Sequence, residues 1–335
     1  MKRSPYVNRK EQQLPNTPIR GWFLEAILDL DTIQPGLAGK LLRASDERRQ
    51  VAAAFLTAPR SQARSRAQQA ALLATSRHHA ILEEAYGSVP DGLRGALRRS
   101  GPQPFGARYY RYLHAILSAE ARPEMTRFVR EASALNPTAL RIARTLPPEL
   151  RSAKIVANIP SIPQARDLAE LFRLFVDHGL SEDAMVAALQ SCTSWRHIKS
   201  FARRWSLKLP LPSHPVPKSK TYRPIQTALE LRSMGRRFSN CMVNYLTEAL
   251  DERSCFAIAE RGKASAVVHL RSSESGWMLD DLYGPENEPP HPSLEQEVEA
   301  YLGLYGIDRE HPRYRHRKWR SLRRMIDIRG AIIIE

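Results

Sequence analysis

Cysteine is scarce in this sequence. Cys192, Cys241 and Cys255 are the only three in 335 residues, and none stands in CxxC spacing or beside a histidine at metal-ligand distance. A disulfide framework is excluded and no zinc signature remains, so a reducing, cytoplasmic setting is expected. Long hydrophobic runs are missing too: the stretch from Ala257 to Leu270 is broken by a charged turn far short of a bilayer span, so no membrane contact is expected. Met1-Lys2-Arg3-Ser4-Pro5 carries positive charge with no apolar stretch behind it, which is not the pattern of a secretion signal. There is no P-loop, GxGxxG, GxSxG or HExxH, leaving nucleotide hydrolysis, Rossmann oxidoreduction, α/β-hydrolysis and zincin proteolysis without motif support. Asp280, Asp281, Glu286 and Asn287 offer oxygen ligands but lack the dense one-loop spacing of a calcium site. No metal and no cofactor are expected.

Acidic residues are also in short supply, 35 against 51 lysines and arginines, for a formal charge of +16 and a pI near 10.1. With 42% hydrophobic and 26% charged residues the chain has a folded protein's composition, and its positive excess favours polyanions, nucleic acid first among them. The most one-sided charge is Arg196, Lys199, Arg203, Arg204, Lys208, Lys218, Lys220 and Arg223, interleaved with Trp195, Trp205 and Tyr222. A second basic run, Arg315, Arg317, Lys318, Arg320, Arg323 and Arg324, surrounds Trp319. Cations mixed with aromatics suit phosphate contact and base stacking, to DNA or RNA alike, while the first group reads equally as a linker docking on an acidic neighbour.

Periodicity and breakers give an α+β chain: a mainly α-helical N-terminal region, then a small antiparallel β-meander packed with helices. Residues 1–18, with three prolines, read as a flexible arm and 19–207 as an irregular helical domain. Within it Asp167 to His178 forms one apolar stripe ended by Gly179, Ser181 and Ser194 cap the helices that follow, and Tyr109, Tyr110 and Tyr112 fall on a helix that buries them in part. Alternating Pro210, Pro212, Pro215 and Pro217 mark 208–224 as an extended, basic linker. The α+β module takes 225–307, and 308–335 is a basic tail.

The module opens with a helical pattern, Leu229, Met234, Phe238, Met242 and Leu246, with Cys241 and Tyr245 one step round. Strands are expected around 256–259, 264–270 and 277–282, then a Gly284-Pro285-Glu286-Asn287 turn. Alternation along the third strand would send Asp280 and Asp281 to opposite faces. The run Leu231, Gly235, Asn240-Cys241 and Tyr245, followed by short strands and Gly284 with Asn287, resembles the PcfJ-like family of bacterial plasmids and other mobile elements. In that family a Cys and a Tyr end the first helix, a Glu closes the middle strand and a Gln precedes the glycine. The corresponding positions are Cys241, Tyr245, His269 and Asp281, the last two departing from the pattern. The resemblance covers about a fifth of the chain and implies a functional centre at Cys241, Tyr245, His269, Asp281 and Asn287.

Two functions are therefore expected. One is a nucleic-acid-binding or assembly factor of a bacterial mobile element or its defence system, with a protein partner contacted through the C-terminal module. The other is an enzyme acting on nucleic acid or transferring a group, centred on those five residues, with Cys241 as a nucleophile activated by Arg236, Arg237 or His269.

Overall fold

The structure, a computed structural model, describes residues 19–119 and 123–308. The chain divides into two compact units, Met1–Ala157 and Asn158–Glu335. The first is wholly helical among the described residues: α1 Trp22–Asp31, α2 Leu37–Leu42, α3 Asp46–Leu56, α4 Pro59–Gln62, α5 Arg66–Thr75, α6 His78–Tyr86, α7 Leu93–Arg98, α8 Ala107–Ser118, α9 Pro123–Glu131, α10 Pro137–Thr145 and α11 Ala153–Ala157. Short helices of this kind depend on their ends. Ser45 caps α3 with Asp46 and Glu47 in its first turn, and Ser65 with Gln68 forms a capping box on α5. The centre is α3, where Val51–Phe55 are all buried together with Gln50. The Gln50 side chain is fully satisfied: its amide donates to Gly101 O and Gln103 O, both at 2.8 Å, and its oxygen accepts from the Tyr110 hydroxyl at 2.6 Å. Tyr109 and Tyr110 are thus core residues, as their period suggests.

The second unit begins with α12 Ile162–Asp177, α13 Glu182–Gln190 and α14 Trp195–Ser206. Gly179 follows α12 at φ 81°, and Ser181 and Ser194 accept first-turn amides of α13 and α14. The α12 helix starts five residues ahead of the apolar stripe, because Pro163 sits in its first turn, where a missing N–H costs nothing.

The sheet is four-stranded and antiparallel, in the order β1 Tyr222–Pro224, β2 Ser254–Arg261, β3 Ala264–Ser273 and β4 Gly276–Tyr283. Alternation splits its residues cleanly. Ala257, Ala259, Ala266, Val268, Leu279 and Leu282 share one core with Leu294, Val298 and Leu302 of the helix Pro292–Gly303. Phe256, Ile258, Val267 and His269 take the other face; Phe256 lies directly across from His269 and Ile258 from Val267.

The proline-rich stretch is not a spacer between domains. It is extended, as expected, but Val216 and Tyr222 are buried in the same core as Leu294 and Val298, and Tyr222–Pro224 pairs with Ala257–Ala259 as the edge strand β1. Leu211 donates to Gln226 O at 2.9 Å and Pro210 bridges Thr227. Non-proline residues between the prolines keep their N–H groups and apolar side chains, enough to dock an extended chain. The break between compact units falls at Ala157/Asn158 instead of at 208–224.

Candidate functional site

The helix α15, Ala228–Arg237, starts at Thr227, whose hydroxyl accepts from Glu230 N. It stops eight residues before the expected end of the helical pattern at Tyr245. Ser239 is left-handed at φ 49°, Asn240 N returns to Gly235 O at 2.9 Å, and Asn240 Oδ1 accepts from Met242 N at 3.2 Å. Side-chain bonding by Asn competes with the helix for backbone donors, and here it wins. A 3-10 turn, Met242–Tyr245, and α16, Leu246–Leu250, follow. Cys241 is consequently no mid-helix hydrophobe: it precedes the 3-10 turn and is exposed.

Across the sheet, His269 is only 1% exposed and lies between aromatic rings. Phe256 stacks on it at 4.5 Å and 9°, and Tyr245 meets it edge-on at 4.9 Å. Its Nδ1 lies 3.1 Å from Asp280 Oδ2 and its Nε2 3.0 Å from Ser254 Oγ. With Nδ1–H donating to the carboxylate, Nε2 accepts the Ser254 hydroxyl proton. Arg271 adds a second donor to Asp280 Oδ2 at 2.9 Å. The order Ser–His–Asp matches a hydrolytic triad in connectivity, yet Ser254 is 2% exposed, so its hydroxyl is closed to a substrate. The line is therefore a brace for Asp280, and it leaves His269 no free nitrogen with which to activate Cys241.

Asp280 reaches this place through a β-bulge. His269 opposes Asp281 and Leu270 opposes Leu279, which leaves Asp280 as the extra residue. The bulge cancels the alternation expected for the pair, and both aspartates line the same cleft. That cleft, of about 470 Å³, also takes in Cys241, Tyr245, His269 and Asn287, so all five residues singled out from the sequence converge on it. Two strained turns flank it: Ser239 on one side, Glu286 and Asn287 on the other at φ 58° and 61°, joined by Glu286 N donating to Phe238 O at 2.8 Å. Gly284 fits closely here, since a Cβ would stand 3.3 Å from Glu288 O, a tight contact.

The electrostatics are those of an acidic, hydrogen-bonding cleft. Asp280, Asp281, Glu288 and Glu295 line it, and among the described residues no lysine or arginine does. Burial, and then the neighbouring Cys241 and Glu248, push the Tyr245 hydroxyl up; burial first and Asp281 next do the same to Tyr283. Both phenols stay protonated donors at neutral pH. Among the described residues no group of three or more His, Cys, Asp or Glu is arranged to hold a metal ion. Arg237, one expected activator of Cys241, is paired with Glu260 at 2.6 Å. The lining suits a ligand rich in hydrogen-bond donors or positive charge and repels phosphate.

The basic residues lie elsewhere in this unit. On α14, Ile198, Phe201, Ala202 and Trp205 are buried while Arg196, Arg203 and Arg204 are exposed and Lys199 is half-buried. Lys208 stands 3.7 Å over the Trp205 ring, and Lys218 and Lys220 are exposed ahead of β1. Arg223 departs from the expectation: it is paired with Glu230, which also accepts from Gln226 N, so its charge serves the α15 N-terminus. Arg315, Arg317, Lys318, Arg320, Arg323 and Arg324 lie outside the described residues, as does the 1–18 arm. Among the described residues no helix is long and apolar enough to cross a membrane.

Sequence reasoning missed Ser254 and Tyr283 and undervalued Asp280. No local signal marks Ser254 or the bulge, because both depend on strand register. Compared with known protein families, with curated proteins and with solved structures, the chain shows no match.

Proposed function

We propose that the chain is a nucleic-acid-binding factor of the bacterial cytoplasm, working within a mobile element or its defence system, as the PcfJ-like resemblance suggests. One observation carries the reading: α14 buries an unbroken apolar face and turns Arg196, Arg203 and Arg204 outward with no acidic residue in the helix. Cations held on a rigid helix lose little entropy on meeting phosphates, and the +16 formal charge adds long-range attraction. Titration of the full chain with single- and double-stranded DNA and RNA at several salt concentrations tests this, and affinity that ignores salt contradicts it.

The cleft supports a second role. Its carboxylates and neutral phenols favour recognition of a protein partner's cationic or amide-rich segment. A group-transfer enzyme at Cys241, Tyr245, His269, Asp281 and Asn287 is the alternative, favoured by their meeting in one cleft. The engaged nitrogens of His269 weigh against it, because that imidazole is committed to Asp280 and Ser254. Loss of biological activity in Cys241→Ser with an unchanged thermal midpoint would favour the enzyme; full activity would exclude it.

A further inference from the structure

In the first unit, only Ser76 and Arg77 separate α5 from α6, so a helix C-terminus and a helix N-terminus meet at one joint. Two cations cover the first of these. Lys40 Nζ donates to Ala74 O at 2.5 Å, and Arg48 donates to Leu73 O at 2.6 Å and Ser76 O at 2.9 Å. The second end is bare: Arg77 makes no side-chain cap, and the first turn of α6 holds no acidic residue. The first-turn amides and the positive end of the helix dipole therefore have no side-chain cap beside Arg77, His78 and His79.

A cleft of about 460 Å³ opens at this joint, within the size range of small-ligand sites. Its basic lining is Lys40, Arg48, Arg77, His78, His79 and Arg94, and among the described residues no carboxylate lines it. Some of these cations have structural work. Glu47 accepts from Arg94 at 2.9 Å and lies 3.1 Å from His78; burial pushes its carboxyl up, but Arg94 and His78 outweigh that and hold it low. His79 is near Glu83 at 3.8 Å. Lys40 and Arg48 close the end of α5. These roles consume part of each group's donors, and they do not explain Arg77, an exposed guanidinium at the mouth of an uncapped helix.

Four permanent positive charges, Lys40, Arg48, Arg77 and Arg94, thus surround one cavity with Glu47 as their near counter-charge. Backbone N–H groups of a helix start and forked guanidinium donors are the pair of features that hold a tetrahedral oxyanion. We propose that the cleft at the α5–α6 joint binds a phosphate group, carried by a nucleotide or by a polynucleotide. The site uses residues of the first unit alone, none of them on α14.

The test uses the full chain and four probes: inorganic phosphate, a 5′-mononucleotide, and one short single-stranded oligonucleotide with and without a 5′-phosphate. Arg77→Ala combined with His79→Ala should weaken binding of phosphate-bearing probes about tenfold, the loss of charge-assisted donors. Arg203→Ala combined with Arg204→Ala should leave mononucleotide affinity unchanged, which separates this cleft from α14. Because Arg77 and His79 are exposed, thermal midpoints should hold, and a single Arg77→Glu variant serves as a second probe of the same charge. An effect on phosphate and mononucleotide assigns a free small ligand; an effect on the oligonucleotides alone assigns a polynucleotide. Wild-type protein that binds none of the probes, or variants that bind all of them as wild type does, overturns the site.

Discussion

Asp280 and Asp281 are neighbours in sequence, of one chemical type and on one cleft, yet the bulge gives them different work. Asp280 is 14% exposed in its side chain and accepts from the buried His269 and from Arg271, which is 44% exposed. Removing it by Asp280→Ala leaves a buried imidazole N–H without its acceptor, a loss of about 1–3 kcal/mol, whereas the exposed Arg271 pair adds at most about 1 kcal/mol. The expected total is about 1–4 kcal/mol, or roughly 2–16 °C in the thermal midpoint of a unit this size. Asp281 is exposed and its carboxylate accepts from its own neighbour, Leu282 N, at 2.9 Å, so Asp281→Ala should stay within about 0.5 kcal/mol. Thermal and urea unfolding followed by circular dichroism would measure both, and a double-mutant cycle with His269→Ala should return a coupling of about 1 kcal/mol or more for Asp280. Equal costs at the two aspartates, or no coupling to His269, would refute the bulged geometry and the brace built on it.

Val216 tests whether the proline-rich stretch is core or spacer: at 0% exposure, Val216→Ala should cost about 2 kcal/mol, whereas a solvated spacer would show no change in urea midpoint. His214 should make the same region acid-sensitive. Burial lowers its pKa from 6.5 to about 4, so the folded state prefers the neutral ring. The stabilisation is complete above about pH 6.5 and is lost as pH falls through about 4, the loss reaching roughly 2 kcal/mol by pH 5. Replacing the ring by His214→Gln should flatten stability between pH 7 and 4.5, and parallel pH curves for variant and wild type would sink the assignment.

Much of this architecture was legible because it rests on local rules. Caps at Ser181 and Ser194, the Gly179 stop, and the alternation in β2 and β3 depend on nearest neighbours and a fixed period. The convergence of Cys241, Tyr245, His269, Asp281 and Asn287 was signalled by the family resemblance, since no spacing rule links positions on a turn, a middle strand and an edge strand. What stayed hidden depends on pairing. The bulge at Asp280 exists only relative to His269 and Leu270, the Ser254 bond only through the β2–β3 register, and the docking of Val216 only through the core it joins. After Arg237 the helical period was overridden locally by Ser239 and Asn240, whose preference for turns competes with an apolar pattern that continues past them.

Nucleic-acid binding through α14 is tested most directly by the salt dependence of affinity. Fluorescence anisotropy with a labelled oligonucleotide gives log affinity against log salt, and each phosphate contact removed should lower the slope by about 1. Arg203→Ala with Arg204→Ala should therefore lower it by about 2, while Arg223→Ala, whose charge is committed to Glu230, should leave it unchanged. A slope that is flat in the wild type, or that responds to Arg223 and not to the α14 pair, would contradict the assignment.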